Sequence, residues 1–109
     1  MKNMEYNEYK LNYTNEVEEE LDEIYNYISQ VLKEPEIARR QINKIRQEVH
    51  MLITSPYLGQ RVNIKPRNEE CRRLVIGNYI ALYKIKETQK EILIFHIFYG
   101  KRNYLANNN

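Results

Sequence analysis

Between Tyr9 and Tyr13 the chain reads YKLNY, aromatic or aliphatic alternating with polar, the period-two pattern of a half-buried strand. The period then changes. Across TNEVEEELDEIYNYISQVL, Val17, Leu21, Ile24, Tyr25, Ile28 and Val31 or Leu32 fall on one stripe, which predicts an amphipathic helix. Thr14 or Asn15 can cap it, with Glu18 three residues after Asn15 as in a capping box. Glu16, Glu18, Glu19, Glu20, Asp22 and Glu23 crowd its early turns, where the helix dipole favours anions. A second helix is expected from about Pro35, a residue tolerated in a first turn because its missing N–H has no partner there anyway. Ala38, Ile42, Ile45, Val49 and Leu52 form its stripe, and TSPYLG, with Pro56 and Gly59, stops it.

Beyond a polar stretch, NIKPRNEE, three more strands are expected. RRLVI meets YIALYKI across Gly77-Asn78, where glycine takes a positive φ at no steric cost, and ETQK then turns into EILIFHIF. Ile92 to Phe98 carries apolar residues on both parities, which predicts a central strand covered on both faces, with His96 a hydrogen-bonded core histidine. The order β-α-α-β-β-β implies an α+β fold: an N-terminal strand and a helical hairpin packed on one face of a mostly antiparallel sheet. With no linker or repeat visible, residues 1–109 read as one domain, with 1–7 and 105–109 expected to fray.

Composition changes this picture in two places. Ten tyrosines stand beside two phenylalanines and no tryptophan, a balance that suits half-buried sheets and polar recognition surfaces alike. The formal net charge of +2 hides a split: residues 1–54 carry seven bases and eleven acids, residues 55–109 ten bases and four acids. The basic half could meet phosphate or an acidic partner, and the acidic helix could equally lie against it. One cysteine, Cys71, excludes a disulfide scaffold and fits a reducing compartment. MKNMEYNEYK has no apolar core of a secretory signal, and no run approaches the ~18 apolar residues of a membrane span, so the expectation is a cytoplasmic protein without membrane association.

Several chemistries lack their residues. There is no CxxC or HExxH, and His50 and His96 lie on different elements, so no metal is expected. Three glycines cannot make a phosphate loop, no nucleophile elbow is present, and neither a cofactor nor a small-molecule substrate is implied. Cys71 beside Arg72 and Arg73 reads as a small buried or edge residue. What remains is cations and tyrosines. Arg72 and Arg73 open one strand and Lys101 and Arg102 follow the last, so antiparallel pairing could bring them together, as a guanidinium cluster for phosphate or carboxylate. Tyr79 and Tyr83 share a strand face, where they could stack bases or fill the core.

Taken together, YKLNYT, EELDEIYNYI, LITSPYLG, RRLVIGNYIALYKI and ILIFHIFYGKRNY resemble the RelE/ParE superfamily of toxins from type II toxin–antitoxin modules, over about residues 9–104. The resemblance implies a compact basic toxin neutralised by a cognate antitoxin protein. RelE-like members cleave messenger RNA in the ribosome; ParE-like members inhibit DNA gyrase without chemistry of their own. A RelE-like enzyme is expected to carry an arginine just after the aromatic of the middle strand, where this chain has Ile80 after Tyr79. Arg102 after Gly100 matches the family's arginine, but the catalytic tyrosine expected several residues later falls among the terminal asparagines. Were the protein an endoribonuclease, Arg102, Arg73, Lys101 and Tyr104 would be its candidate catalytic residues. Tyr99-Gly100-Lys101-Arg102-Asn103 keeps the charge of the ParE-like His-Gly-Arg-Arg-Asp ending while replacing its His and Asp. With Arg72-Arg73 and Gly77-Asn78-Tyr79, this favours the ParE-like branch, with Arg72, Arg73, Tyr79, Tyr83, Lys101 and Arg102 as residues that bind the target or RNA. A degenerate toxin serving only as a partner-binding module is the third reading.

Overall fold

A computed structural model describes residues 8–63 and 70–100. Strand β1 (Lys10–Tyr13) leads into helix α1 (Asn15–Asn26), which runs on as a π-helical turn, Tyr27–Val31. Helix α2 (Pro35–His50) ends in a short 3-10 turn, Met51–Ile53, and strands β2 (Gln60–Val62), β3 (Glu70–Ile76), β4 (Tyr79–Lys86) and β5 (Glu91–Tyr99) follow. Of the two candidate caps it is Thr14 that acts: its hydroxyl accepts the Val17 N–H at 3.1 Å. The sheet order is β1-β5-β4-β3-β2, antiparallel except for the parallel β1–β5 pair. Strand β2 is absent from the expected order, because three residues are too few to show a period.

The helical hairpin covers one face of this sheet, as expected. Val17, Leu21, Ile45, Val49 and Leu52 pack on Leu74, Ile76, Ala81, Tyr83, Ile85, Ile92, Ile94 and Ile97 in one cluster. Burial on this scale, at about 25 cal/mol per Å2 of apolar surface, is the main stabilising term for a domain of this size. No helix is long and apolar enough to cross a membrane.

Strand β5 departs from expectation. It is internal, between β1 and β4, yet only one of its faces is covered; Leu93, Phe95 and Phe98 on the other are partly exposed. A β-bulge explains why the pattern looked two-sided. Tyr83 pairs with Ile94 and Leu82 with His96, leaving Phe95 as the extra residue. Phase therefore slips by one: Ile92 and Ile94 face the helices before the bulge, and Ile97 after it. Without the slip His96 would follow Ile94 into the core. With it, His96 sits opposite Leu82 with its side chain 42% exposed, which corrects the core assignment.

Candidate functional site

Strand alternation splits the adjacent pair Arg72-Arg73 between the two faces of the sheet. Arg72 pairs with Tyr83, on the helix side, and Arg73 with Leu82, on the bare side. The Arg72 guanidinium is largely enclosed. Its Nε donates to Glu70 Oε2 at 2.8 Å, its Nη1 to the Gly59 carbonyl at 2.7 Å, and it lies 5.0 Å from the centroid of the Tyr57 ring. Beside it Tyr83 is fully buried; its hydroxyl donates to the Pro56 carbonyl at 2.8 Å and accepts the Gly59 N–H at 2.9 Å. Burial pushes the Tyr83 hydroxyl above the usual tyrosine range, opposed by the Gly59 hydrogen bond and the Arg72 charge. Arg72 and Tyr83 thus clamp the loop between α2 and β2. Tyr83, proposed from sequence as a binding residue, is a core residue with both hydroxyl valences used, and Arg72 is an internal brace.

The bare face presents two rows across three strands: Arg73, Leu82 and His96, then Val75, Ile80 and Phe98. Arg73 Nε and Nη2 both donate to Gln60 Oε1, at 3.1 and 2.8 Å, so the side chain is held along the sheet by its β2 neighbour. Arg73, Gln60, Val75, Ile80 and Gly100 line a hollow of about 380 Å3. Gly100 is needed there: a Cβ would stand 2.4 Å from Ile80 Cδ1. Ile80 is 6% exposed, so the slot after Tyr79 is a packing position in the floor of the hollow. The surface offers a guanidinium beside exposed apolar side chains, which suits an acidic or phosphate-bearing partner with apolar contacts. The chain leaves this hollow at Gly100 toward Lys101 and Arg102, which with Tyr104 lie outside the described residues. Arg73 therefore shares a hollow with the residue preceding those cations, while Arg72 does not.

Tyr79 lies on the helix side, in a second and larger hollow of about 730 Å3 between the hairpin and the end of the sheet. Its ring meets Tyr99 edge to face, centroids 5.6 Å apart. Burial, then the neighbouring Tyr99 and Tyr27 phenols, raise its pKa. Sequence reasoning missed a pair that links helix α1 to strand β5 beside this hollow. Glu20 Oε2 lies 2.6 Å from His96 Nδ1, and Glu20 Oε1 accepts the Ile97 N–H at 2.6 Å. The two residues are 76 positions apart, and no spacing rule connects an acidic helix face to a strand amide.

Residues 11–104 match the family model described as ParE toxin of type II toxin–antitoxin system, parDE. Among solved structures, the chromosomal ParDE TA system from P. aeruginosa superposes with a TM-score of 0.68 at 26% identity, covering 84% of this chain and 95% of that one. The archaeal RelE–RelB complex from Pyrococcus horikoshii OT3 shares the fold at a TM-score of 0.50 and 14% identity, covering 82% of this chain and 91% of that one. No curated protein sequence matches.

Proposed function

This chain belongs to the family of ParE toxins of type II toxin–antitoxin systems, and on that premise we propose that it arrests growth by binding DNA gyrase. Binding uses the bare face of the sheet, with Arg73 and the cations that follow Gly100 in the sequence, Lys101 and Arg102, as its basic residues, and a cognate antitoxin neutralises the protein by docking on it. The observation that carries this reading over RNA cleavage is Ile80. The slot where a RelE-like nuclease is expected to carry an arginine holds an isoleucine packed against Gly100. A cation there would have to displace the floor of the hollow. Transition-state charge on a phosphate needs donors aimed at it, and general acid–base cleavage needs a proton acceptor and donor beside it. His96, the imidazole on this face, is engaged by Glu20.

A gyrase supercoiling assay with purified protein tests the reading. Inhibition at stoichiometric toxin, lost in Arg73→Ala and Arg102→Ala, is the expected result; full supercoiling at excess toxin would remove gyrase as the target. A parallel in-vitro translation with primer extension is expected to give no new 5′ ends. Fresh 5′ ends there would establish the messenger RNA endonuclease instead.

A further inference from the structure

The β5 bulge turns His96 onto the bare face, where its ring lies against Phe98, centroids 4.6 Å apart. His96 is in register with Leu82, and Leu82 with Arg73, so a guanidinium and an imidazole flank one leucine in a single row. Two strand spacings separate them, about 10 Å. Strand β1 has ended by this level, its last pair being Tyr13 with Ile94, and Glu20 of α1 reaches past it to the imidazole.

The contacts of Glu20 fix which ring nitrogen carries the proton. A carboxylate only accepts hydrogen bonds. Oε1 accepts the Ile97 N–H at 2.6 Å, which anchors the group, and Oε2 stands 2.6 Å from Nδ1, so Nδ1 is the N–H. Among the described residues Nε2 makes no hydrogen bond, and the side chain is partly exposed. The charges around the ring oppose one another. From α1, Glu20 faces it, with Glu16 and Glu23 about one turn away on either side. From the sheet, Arg73 shares its row, and Lys84 of β4 lies 5.5 Å from the centroid of the neighbouring Phe95 ring. No residue of β1 pairs at its level.

We propose that His96 is a specificity-determining residue of the bare face: it meets a carboxylate of the target protein as an imidazolium, with Glu20 as its positioning residue, so that binding takes up a proton. The proposal rests on the reading that this face binds gyrase. Arg73 and Lys84 draw acidic groups to the face, so the group that meets Nε2 is an acceptor and not a donor. An acceptor at Nε2 requires an N–H there. Nδ1 already gives its N–H to Glu20, so the bound ring carries both protons and a positive charge. Histidine is the side chain whose charge ordinarily changes roughly between pH 5 and 8, so solvent supplies the second proton near neutrality. Leu82 between Arg73 and His96, and Phe98 beside the ring, add apolar contact, which suits a protein surface better than a nucleic-acid backbone.

The test is calorimetric titration of purified gyrase, without DNA, by the unmodified chain in two buffers of different ionisation enthalpy. The expected result is a binding enthalpy that differs between the buffers in the sense of proton uptake. Affinity should also rise about tenfold from about pH 8 to about pH 6. Two variants assign the proton. His96→Gln keeps a donor amide but cannot be charged, so it should bind at every pH with the weaker affinity of the alkaline state. Glu20→Gln keeps an oxygen for the Ile97 amide but loses the charge, and should lose most of the proton uptake; a merely structural role would lower stability and leave the buffer difference in place. Equal enthalpy in both buffers and equal affinity across the range would overturn the proposal and leave gyrase binding intact. Proton uptake that persists in His96→Gln would overturn the assignment to His96. Absence of any binding to gyrase would overturn the reading beneath it and the proposal with it. The buffer comparison needs no variant, so it decides the matter whether or not both variants fold.

Discussion

Arg72 and Arg73 are neighbours in the chain and belong to different parts of the protein. The helix-side arginine is 18% exposed in its side chain and braces Glu70, Gly59 and Tyr57. The bare-side arginine lies along an open hollow with Gln60. Alternation alone makes this division, since successive strand residues point to opposite faces. The lesson is that a count of cations does not measure a binding surface. One of these two charges is spent inside the fold, and the strand face decides which.

The largest break in that comparison should come from Gly59, where the two faces meet. A Cβ there would stand 2.3 Å from the Arg73 carbonyl oxygen and 2.9 Å from the Tyr83 hydroxyl. Backbone cannot retreat as a flexible side chain can, so Gly59→Ala should cost about 3 kcal/mol, the upper end of ordinary overpacking. Urea denaturation is expected to show the midpoint falling at unchanged slope.

Next in size is the arginine pair itself. Arg72→Ala removes charge-assisted bonds to Glu70 and the Gly59 carbonyl and leaves Glu70, among the described residues, with only its longer pair to Arg61, a loss of about 2 kcal/mol. Arg73→Ala should change stability by less than about 0.5 kcal/mol, as for exposed polar contacts, yet abolish growth inhibition. Paired denaturation curves and regulated-expression growth assays separate the two. Equal effects on stability would dissolve the distinction between brace and surface.

Tyr83→Phe sharpens the same boundary from the other side. It removes both hydroxyl bonds and leaves the Gly59 amide without its acceptor, a cost of about 1.5 kcal/mol. It also carries a pH signature. Burial raises the folded-state pKa of Tyr83 above the unfolded value, so its contribution is full below the ordinary tyrosine pKa of ~10 and is lost as pH rises through the folded value. Tyr13 and Tyr79 are raised with the same sign, burial being the largest cause for each. The variant should therefore flatten the alkaline fall in stability between pH 9 and 11, roughly the tyrosine titration range, without abolishing it. A denaturation series across that range reads the slope.

How much of this was legible beforehand follows the length of the signals. The second helical stripe, the first as far as Ile28, the Gly77-Asn78 hairpin and the helical hairpin's placement on one face of the sheet are borne out by the fold. Tyr25, Val31 and Leu32, expected on the first stripe, are exposed, the last two because the helix passes into a π-helical turn after Asn26 and its period changes. Strand β2 is three residues long and exists only through its pairing with β3. The β5 bulge defeats period counting outright: one inserted residue carried His96 from the core side to the bare side and made a one-sided strand look two-sided. At the site, Arg73 could be named but not told from Arg72, because parity was readable and the covered face was not. Glu20, reaching from α1 to a β5 amide, had no sequence signal beyond membership of an acidic run.

The smallest expected effect lies away from both faces and serves as the control. Lys33 closes the π-helical turn at φ 61°, a left-handed conformation that favours glycine. The turn requires it: the Leu32 N–H reaches the Tyr27 carbonyl at 3.0 Å and the Glu34 N–H the Ile28 carbonyl at 3.0 Å, so the chain must reverse within one residue. Strain at a non-glycine residue there costs about 1 kcal/mol, and glycine's greater freedom in the unfolded chain cancels part of the relief. Lys33→Gly should then stabilise by about 0.5 kcal/mol, measured as a rise in the urea midpoint. Its growth inhibition should equal that of the unmodified chain. If inhibition instead rose or fell with this small gain, activity would be tracking folded population, and the loss predicted for Arg73→Ala could no longer be assigned to the bare face.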